Sequence, residues 1–374
     1  MTAENNTKTR VALLFGGRSS EHAVSCVTAA GVMHSINRDK YDVVPVGITR
    51  DGRWSLVDAD PETWSLASGN TPEVLPGAES LRLDVLAEGR ELVAHTDGGA
   101  TRSLGGVDIV FPLLHGPFGE DGTLQGLLEL ADVPYVGSGV SASAIGMDKH
   151  YMKVVFEAAG FRVGPYAVIT DKQWQRDPEA ALASVGVLAY PLFVKPARAG
   201  SSVGISRVDS PEHLREAIEA ARVHDPKVVV EQGIAGREIE CGVLEGRGHN
   251  VPRTSLPGEV AVAAGAHDFY DFEAKYVDGA AAKLSCPAEL PDGAVDEVRR
   301  LAAAAFDAVG AEGLSRVDFF YTGAGEWIIN EINTMPGFTP ISMYPQMWAK
   351  TGLEYPDLID ELIWLALNRR TGLR

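Results

Sequence analysis

Along the first third of the chain, short apolar runs end in glycine-bearing turns, and each turn is followed by apolar positions at helical spacing. Arg10 to Phe15 runs into Gly16-Gly17-Arg18-Ser19-Ser20-Glu21, after which Val24, Val27, Thr28 and Gly31 to Ile36 predict a helix that Glu21 can cap. Val107 to Leu114 runs into His115-Gly116-Pro117-Phe118-Gly119-Glu120-Asp121-Gly122, with Leu124, Leu127, Leu128 and Ala131 as the next stripe. A repeated strand, turn and helix predicts a parallel sheet whose strand ends face a ligand cleft. His115, at such an end, either contacts substrate or braces the loop. Tyr41 to Ile48 is a further strand, and Asp51-Gly52 a tight turn into Arg53 to Leu56. Residues 57–106, with clustered Pro, Gly and Ser, carry no motif and read as elaboration around short strands such as Arg90 to His95.

Further on, Asp148-Lys149 opens a helix from Tyr151 to Ala159. Pro191 to Pro196 is a strand that delivers Lys195, followed by Gly200-Ser201-Ser202-Val203-Gly204, small and hydroxyl-rich as a flap over phosphates would be. Ser210-Pro211 starts a helix carrying Leu214, Ile218 and Ala221. Lys227 to Val230 is a strand leading straight into Glu231, a carboxylate placed for an adenine amino group or ribose hydroxyls, or simply for loop solvation. Strand alternation returns from Arg237 to Glu245. Residues 258–285 are polar and glycine-punctuated, too long for an idle connection, and read as a lid. Asp292 to Val309 is an amphipathic helix stopped by Gly310, and Thr339 to Leu367 is largely helical with Trp348, Leu358 and Leu362 inward.

Between the last two helical stretches lies the chemically richest one. Leu314 to Tyr321 and Trp327 to Asn333 flank Thr322-Gly323-Ala324-Gly325, a hairpin signal. An even-length loop sets Asp318 opposite Glu331 and Arg316 opposite Asn333, all on one sheet face. Adjacent carboxylates repel unless a cation lies between them, and Asp, Glu and Asn offer hard oxygen ligands, which select magnesium over zinc. Magnesium is normally shared with substrate phosphates, so the pair points to a nucleotide. The alternative is a solvated hairpin face with a cross-strand Arg/Asp contact.

Charge narrows the partners. With 33 basic against 51 acidic residues in 374, the net charge of -18 excludes sequence-wide electrostatic binding of nucleic acid or an anionic membrane. An anionic ligand has to meet a local cluster of lysine, arginine and metal. Cys26, Cys241 and Cys286 lack paired spacing and read as reduced thiols of a cytoplasmic protein. Met1 to Arg10 has no apolar core of a leader, so the protein is expected to be soluble and unprocessed. No G-x-x-x-x-G-K-[ST] occurs, so the nucleotide is not held by a P-loop.

In combination, Gly16 to Glu21, Leu114 to Gly122, Met147 to Lys149, Val194 to Pro196, Gly200 to Gly204, Tyr270 to Tyr276, Arg316 to Asp318 and Asn330 to Gly337 resemble, in order and over almost the whole length, the D-alanine:D-alanine ligases of the ATP-grasp superfamily. The resemblance implies an α/β ATP-grasp fold: an N-terminal Rossmann-like parallel-sheet domain (1–137) and two α+β domains (138–231 and 232–374, lid 258–285) clamping the nucleotide. It further implies ATP with Lys149, Lys195 and Ser202 at the phosphates, Glu231 at the adenine and Glu238 at the ribose. Asp318, Glu331 and Asn333 hold two magnesium ions, with manganese as a substitute. His115, Lys275, Ser342 and Met343 contact the D-alanines, Glu21 holds the first ammonium and latches the lid through Ser201 and Tyr276, and Arg316 with the Gly337 backbone N–H stabilises the tetrahedral intermediate. A homodimer is expected. The alternatives are D-alanine:D-lactate ligation, against which Tyr276 stands because ester-forming members carry Phe there, and an inactive nucleotide-binding regulator.

Overall fold

The computed structural model describes residues 8–57, 64, 72–84, 90–96, 98–262 and 282–369. The chain forms two compact units, one of residues 1–140 with 337–374 and one of residues 141–336. Among the described residues no helix is long and apolar enough to cross a membrane.

In the first unit, Thr9–Gly16 lies between Tyr41–Ile48 and Ile109–Pro112, parallel to both, and the short Trp54–Leu56 adds an antiparallel edge. Val11 to Phe15 are all fully buried, the unbroken apolar run expected of a strand covered on both faces. Residues 79–106 supply a separate antiparallel sheet, Glu79–Asp84, Glu91–Thr96 and Thr101–Gly106. Its Leu81, Leu92 and Ala94 join Ala12, Leu14 and Val46 in one core, which is why this motif-free stretch folds at all. The C-terminal helices Met343–Thr351 and Tyr355–Leu367 bury Trp348, Leu358 and Leu362. They are tied in by Tyr355 Oη donating to the Phe338 carbonyl (2.7 Å) and Arg369 Nη2 donating to that of Tyr135 (2.9 Å).

The second unit holds two antiparallel sheets. The smaller runs Ser206–Val208, Leu192–Pro196, Val228–Gln232, Tyr166–Ile169. Leu192, Val194, Val228 and Val230 point into its core, so Phe193, Lys195, Val229 and Glu231 share the opposite face. The larger is built on Gly236–Leu244, Leu314–Thr322 and Trp327–Asn333, backed by the helices Ala294–Val309 and Lys149–Ala158. Ile239, Cys241, Val243, Val317 and Phe319 pack with Phe306, Val298 and Phe156, each fully buried large side chain contributing roughly 1.5–3 kcal/mol. The alternation sends Glu238, Glu240, Arg316 and Asp318 to the other face. The ends of the expected lid are themselves strands, Gly258–Val262 and Ala282–Ser285, paired with each other on the edge of this sheet. Residues 263–281 lie outside the described residues.

Candidate active site

The hairpin reaches the expected polar row by an unexpected route. Thr322 and Glu326 close a three-residue loop, Gly323-Ala324-Gly325, with Gly325 left-handed (φ +79°) and its N–H donating to the Thr322 carbonyl. That odd loop pairs Tyr321 with Trp327 and Phe319 with Ile329, one residue out of the register read from the sequence. A bulge then leaves Asn330 as an extra residue, and Asp318 falls opposite Glu331 and Arg316 opposite Asn333. The bulge has a packing cause: it lets Ile329 and Ile332, three apart, both face the core, which strict alternation forbids.

On this face Arg316 donates from Nε and Nη2 to the two oxygens of Asp318, both at 2.7 Å, and Asn333 Nδ2 donates to Asp318 Oδ2 at 3.0 Å. Burial works to discharge the Arg316 guanidinium, but Asp318 and Glu240 outweigh it and raise its pKa well above the ordinary value. An Arg/Asp contact is therefore present, but along one strand (i, i+2) rather than across the hairpin as the alternative reading had it, and it coexists with a hard-oxygen donor set. Asp318, Glu331 and the Asn333 side-chain oxygen are a donor set that would suit a magnesium-like ion. Among the described residues, no group of three or more His, Cys, Asp or Glu forms a metal cage.

The opposing charge comes from the smaller sheet and the helix beside it. Asp148 caps the helix Lys149–Ala158, accepting from the N–H groups of His150 and Tyr151. Lys149 Nζ donates to the Ala199 carbonyl at 2.8 Å, at the root of the Gly200–Gly204 loop. Lys195 Nζ donates to Glu231 Oε2 (2.7 Å), and Lys153 Nζ, one helical turn after Lys149, is paired with Glu231 Oε1 (3.0 Å). Burial lowers the Lys149 pKa against the opposing pull of Glu331; for Lys195 the same burial is outweighed by Glu231, with Glu331 and Glu238 adding to the rise. Lys149 and Lys195 are thus within electrostatic reach of Glu331, which sets a cationic side of the site against an anionic one. Ser201 and Ser202 both hold left-handed backbone (φ +48° and +58°), strain of a kind that collects at ligand loops.

Most of both sides lies inside a matched domain: residues 155–364, which hold Lys195, Glu231, Asp318, Glu331 and Asn333, match the family described as D-ala D-ala ligase C-terminus, with Lys149 and Lys153 just before them, and residues 10–138 match the D-ala D-ala ligase N-terminus. The chain belongs to the D-ala D-ala ligase family. It is 67% identical over 373 residues to the D-alanine--D-alanine ligase of Arthrobacter sp. (strain FB24), covering 100% of this chain and 98% of that one. Among solved structures it is similar to the VanG D-Ala:D-Ser ligase from Enterococcus faecalis (36% identity, TM-score 0.81, 96% of this chain and 100% of that chain). It is also similar to the D-alanine-D-alanine ligase from Coxiella burnetii (34%, TM-score 0.77, 97% and 94%).

The remaining family positions are distributed as follows. In the first unit, Glu21 occupies the N-cap position of the helix His22–Ser35 but makes no side-chain cap bond. It is buried beneath Gly116, where an added Cβ would sit 2.5 Å from Glu21 Oε2 and the left-handed backbone (φ +77°) disfavours any side chain. His115 is buried; its carbonyl accepts from Ser19 Oγ (2.6 Å) and its Nε2 lies 3.2 Å from Thr28 Oγ1, so it does brace the loop. Ser342 precedes the helix Met343–Thr351 with its Oγ accepting from Thr339 N (3.1 Å); Met343 is buried and Gly337 half-buried at the start of the returning segment. In the second unit Glu238 shares the Glu240 face. Lys275 and Tyr276 lie outside the described residues. Lys153 and Glu240 were missed from sequence, although each had a signal: Lys153 at i+4 from Lys149, Glu240 at i+2 from Glu238.

The lysine pair around Glu231 makes a pH prediction. Burial pushes this carboxyl up, but Lys153 and Lys195 hold it down at about 2, from an ordinary 4.5. A depressed folded-state pKa stabilises fully above the unfolded value and is lost as pH falls through the folded one. The stability advantage of wild type over Glu231→Gln, read by denaturant midpoints, is expected to be largest at neutral pH and to close between pH 4.5 and 2. A gap constant with pH would show that the carboxylate charge does not contribute.

Proposed function

We propose that the protein joins two D-alanines into D-alanyl-D-alanine while converting ATP to ADP and phosphate. The carrying observation is that Lys149 and Lys195 lie within electrostatic reach of Glu331, which shares a sheet face with Asp318 and Asn333, within one unit of a D-ala D-ala ligase family member. A carboxylate oxygen of the first D-alanine attacks the γ-phosphorus and ADP leaves, giving an acyl phosphate. The amine of the second D-alanine, after losing a proton, attacks the acyl carbon, and phosphate leaves from the tetrahedral intermediate.

Lys149 and Lys195 neutralise the phosphates, Ser201 and Ser202 close over them, and Glu238 takes the ribose; Glu231, whose carboxylate is held by two lysines, borders the adenine. Asp318, Glu331 and Asn333 would hold two divalent cations, which would supply charge neutralisation on the transferring phosphoryl group. Arg316 and the Gly337 N–H donate to the tetrahedral oxyanion. Glu21 and His115 bind the first D-alanine, Lys275, Ser342 and Met343 the substrates' carboxylates and methyls, and Tyr276 with Ser201 links the lid to Glu21. The three-part ATP-grasp division at 137/138 and 231/232, a homodimer and a cytoplasmic location complete this reading.

The test is product analysis with ATP, Mg2+ and D-alanine, repeated with D-serine or D-lactate as competing acceptor. ADP, phosphate and dipeptide are expected in equal amounts, with dipeptide dominant at pH 8. ADP release without dipeptide would leave only a nucleotide-binding protein, and a dominant mixed product would reassign the second substrate.

A further inference from the structure

Glu240 lies on the strand that flanks Leu314–Thr322 on the side away from Trp327–Asn333, and its register partner is Asp318. A row of three carboxylates, Glu240, Asp318 and Glu331, therefore crosses three adjacent strands. Glu240 is only 8% exposed, and a carboxylate this dry is costly unless a cation matches it. The match is Arg316, whose Nε lies 3.2 Å from Glu240 Oε2 while it also donates to Asp318. On the ligase reading, on which this inference rests, Asp318 has two claimants, the guanidinium and the divalent cation. The cation's other ligands, Glu331 and Asn333, sit on the strand opposite Glu240. An aspartate that gives its lone pairs to a metal holds a guanidinium less firmly, so Arg316 needs an anchor that is not a metal ligand. We propose that Glu240 is that anchor, a positioning residue that keeps the Arg316 fork aimed at the reacting acyl group while Asp318 serves the cation.

The test uses the full chain as wild type, Glu240→Gln and Glu240→Asp. Thermal midpoints and dipeptide kinetics are measured, together with Mn2+ binding in the presence of a non-hydrolysable ATP analogue, followed by the electron paramagnetic resonance signal of free Mn2+. For Glu240→Gln, kcat is expected to fall about 30-fold with KM for ATP within about 2-fold, because the interaction lost matters in the transition state. Mn2+ stoichiometry is expected to stay at the wild-type value while its affinity weakens about 10-fold, since Arg316 then competes for Asp318 with its full charge. Glu240→Asp should recover part of both. Loss of one bound Mn2+ would overturn the proposal by making Glu240 a ligand. Unchanged Mn2+ affinity, with or without a lowered midpoint, would overturn it by leaving Glu240 a purely structural role. Wild type that neither binds Mn2+ with nucleotide nor forms dipeptide would instead sink the ligase reading.

Discussion

Glu331→Gln is expected to cut D-alanine-dependent ATP turnover by about two to three orders of magnitude while leaving the apo-protein at least as stable as wild type. The two effects have opposite signs for one reason. Without ligands, Glu331 adds a third negative charge beside Asp318 and Glu240, where Arg316 is the cation in direct contact. Neutralising it relieves repulsion in the folded state, in line with the usual trade of stability for function at active sites. In the apo-protein the attraction of Glu331 to Lys149 and Lys195 across the site opposes that repulsion, and during turnover the same charge is what the proposed divalent cation would need. Thermal melts of the apo-protein and coupled ADP release give the pair of readouts. Turnover within about threefold of wild type would remove the metal-site reading of the hairpin, and a lowered midpoint would show that the row is not held under repulsion.

Arg316→Lys should cost about a hundredfold in kcat and, unlike Glu331→Gln, should also destabilise the fold by about 1–3 kcal/mol. The guanidinium meets both Asp318 oxygens and Glu240 at once, which a planar fork does and a single ammonium cannot. Charge is conserved in this variant, so the loss reads geometry. Dipeptide formation is expected to suffer more than ADP release, because on the proposed mechanism the guanidinium donates to the tetrahedral intermediate that follows phosphoryl transfer. Equal loss of both products would place Arg316 at the phosphoryl group instead.

The placement of the candidate residues of the second unit was legible because their signals are local. Asp148 and Lys149 announced a capped helix, Lys195 ended an apolar strand, and Arg316 with Asp318 alternated with Val317 and Phe319. The strands at Gly258–Val262 and Ala282–Ser285 were hidden within polar, glycine-punctuated sequence, since an edge pair solvated on one side needs few apolar residues. Likewise the sheet of residues 79–106 has no motif, because its purpose is to cover the parallel sheet through Leu81, Leu92 and Ala94, and many residues can do that.

By itself, the amino-acid sequence determined what repeats within a strand or a turn of helix: the parallel N-terminal core, the sheet face carrying Arg316 and Asp318, and the placing of Lys149 at a helix start and Lys195 on a strand. Tertiary structure decided whatever depends on comparing separate segments. The Glu331 row rests on a bulge at Asn330 that corrects an odd-length loop, and the bulge exists because Ile329 and Ile332 must both reach one core. The pairing of Lys153 and Lys195 on Glu231 needs a helix and two strands assembled around a buried carboxylate. Glu240 gains its meaning only when its strand is set beside Asp318, since strand partners and register are chosen by long-range packing, whereas periodicity is written into the covalent chain.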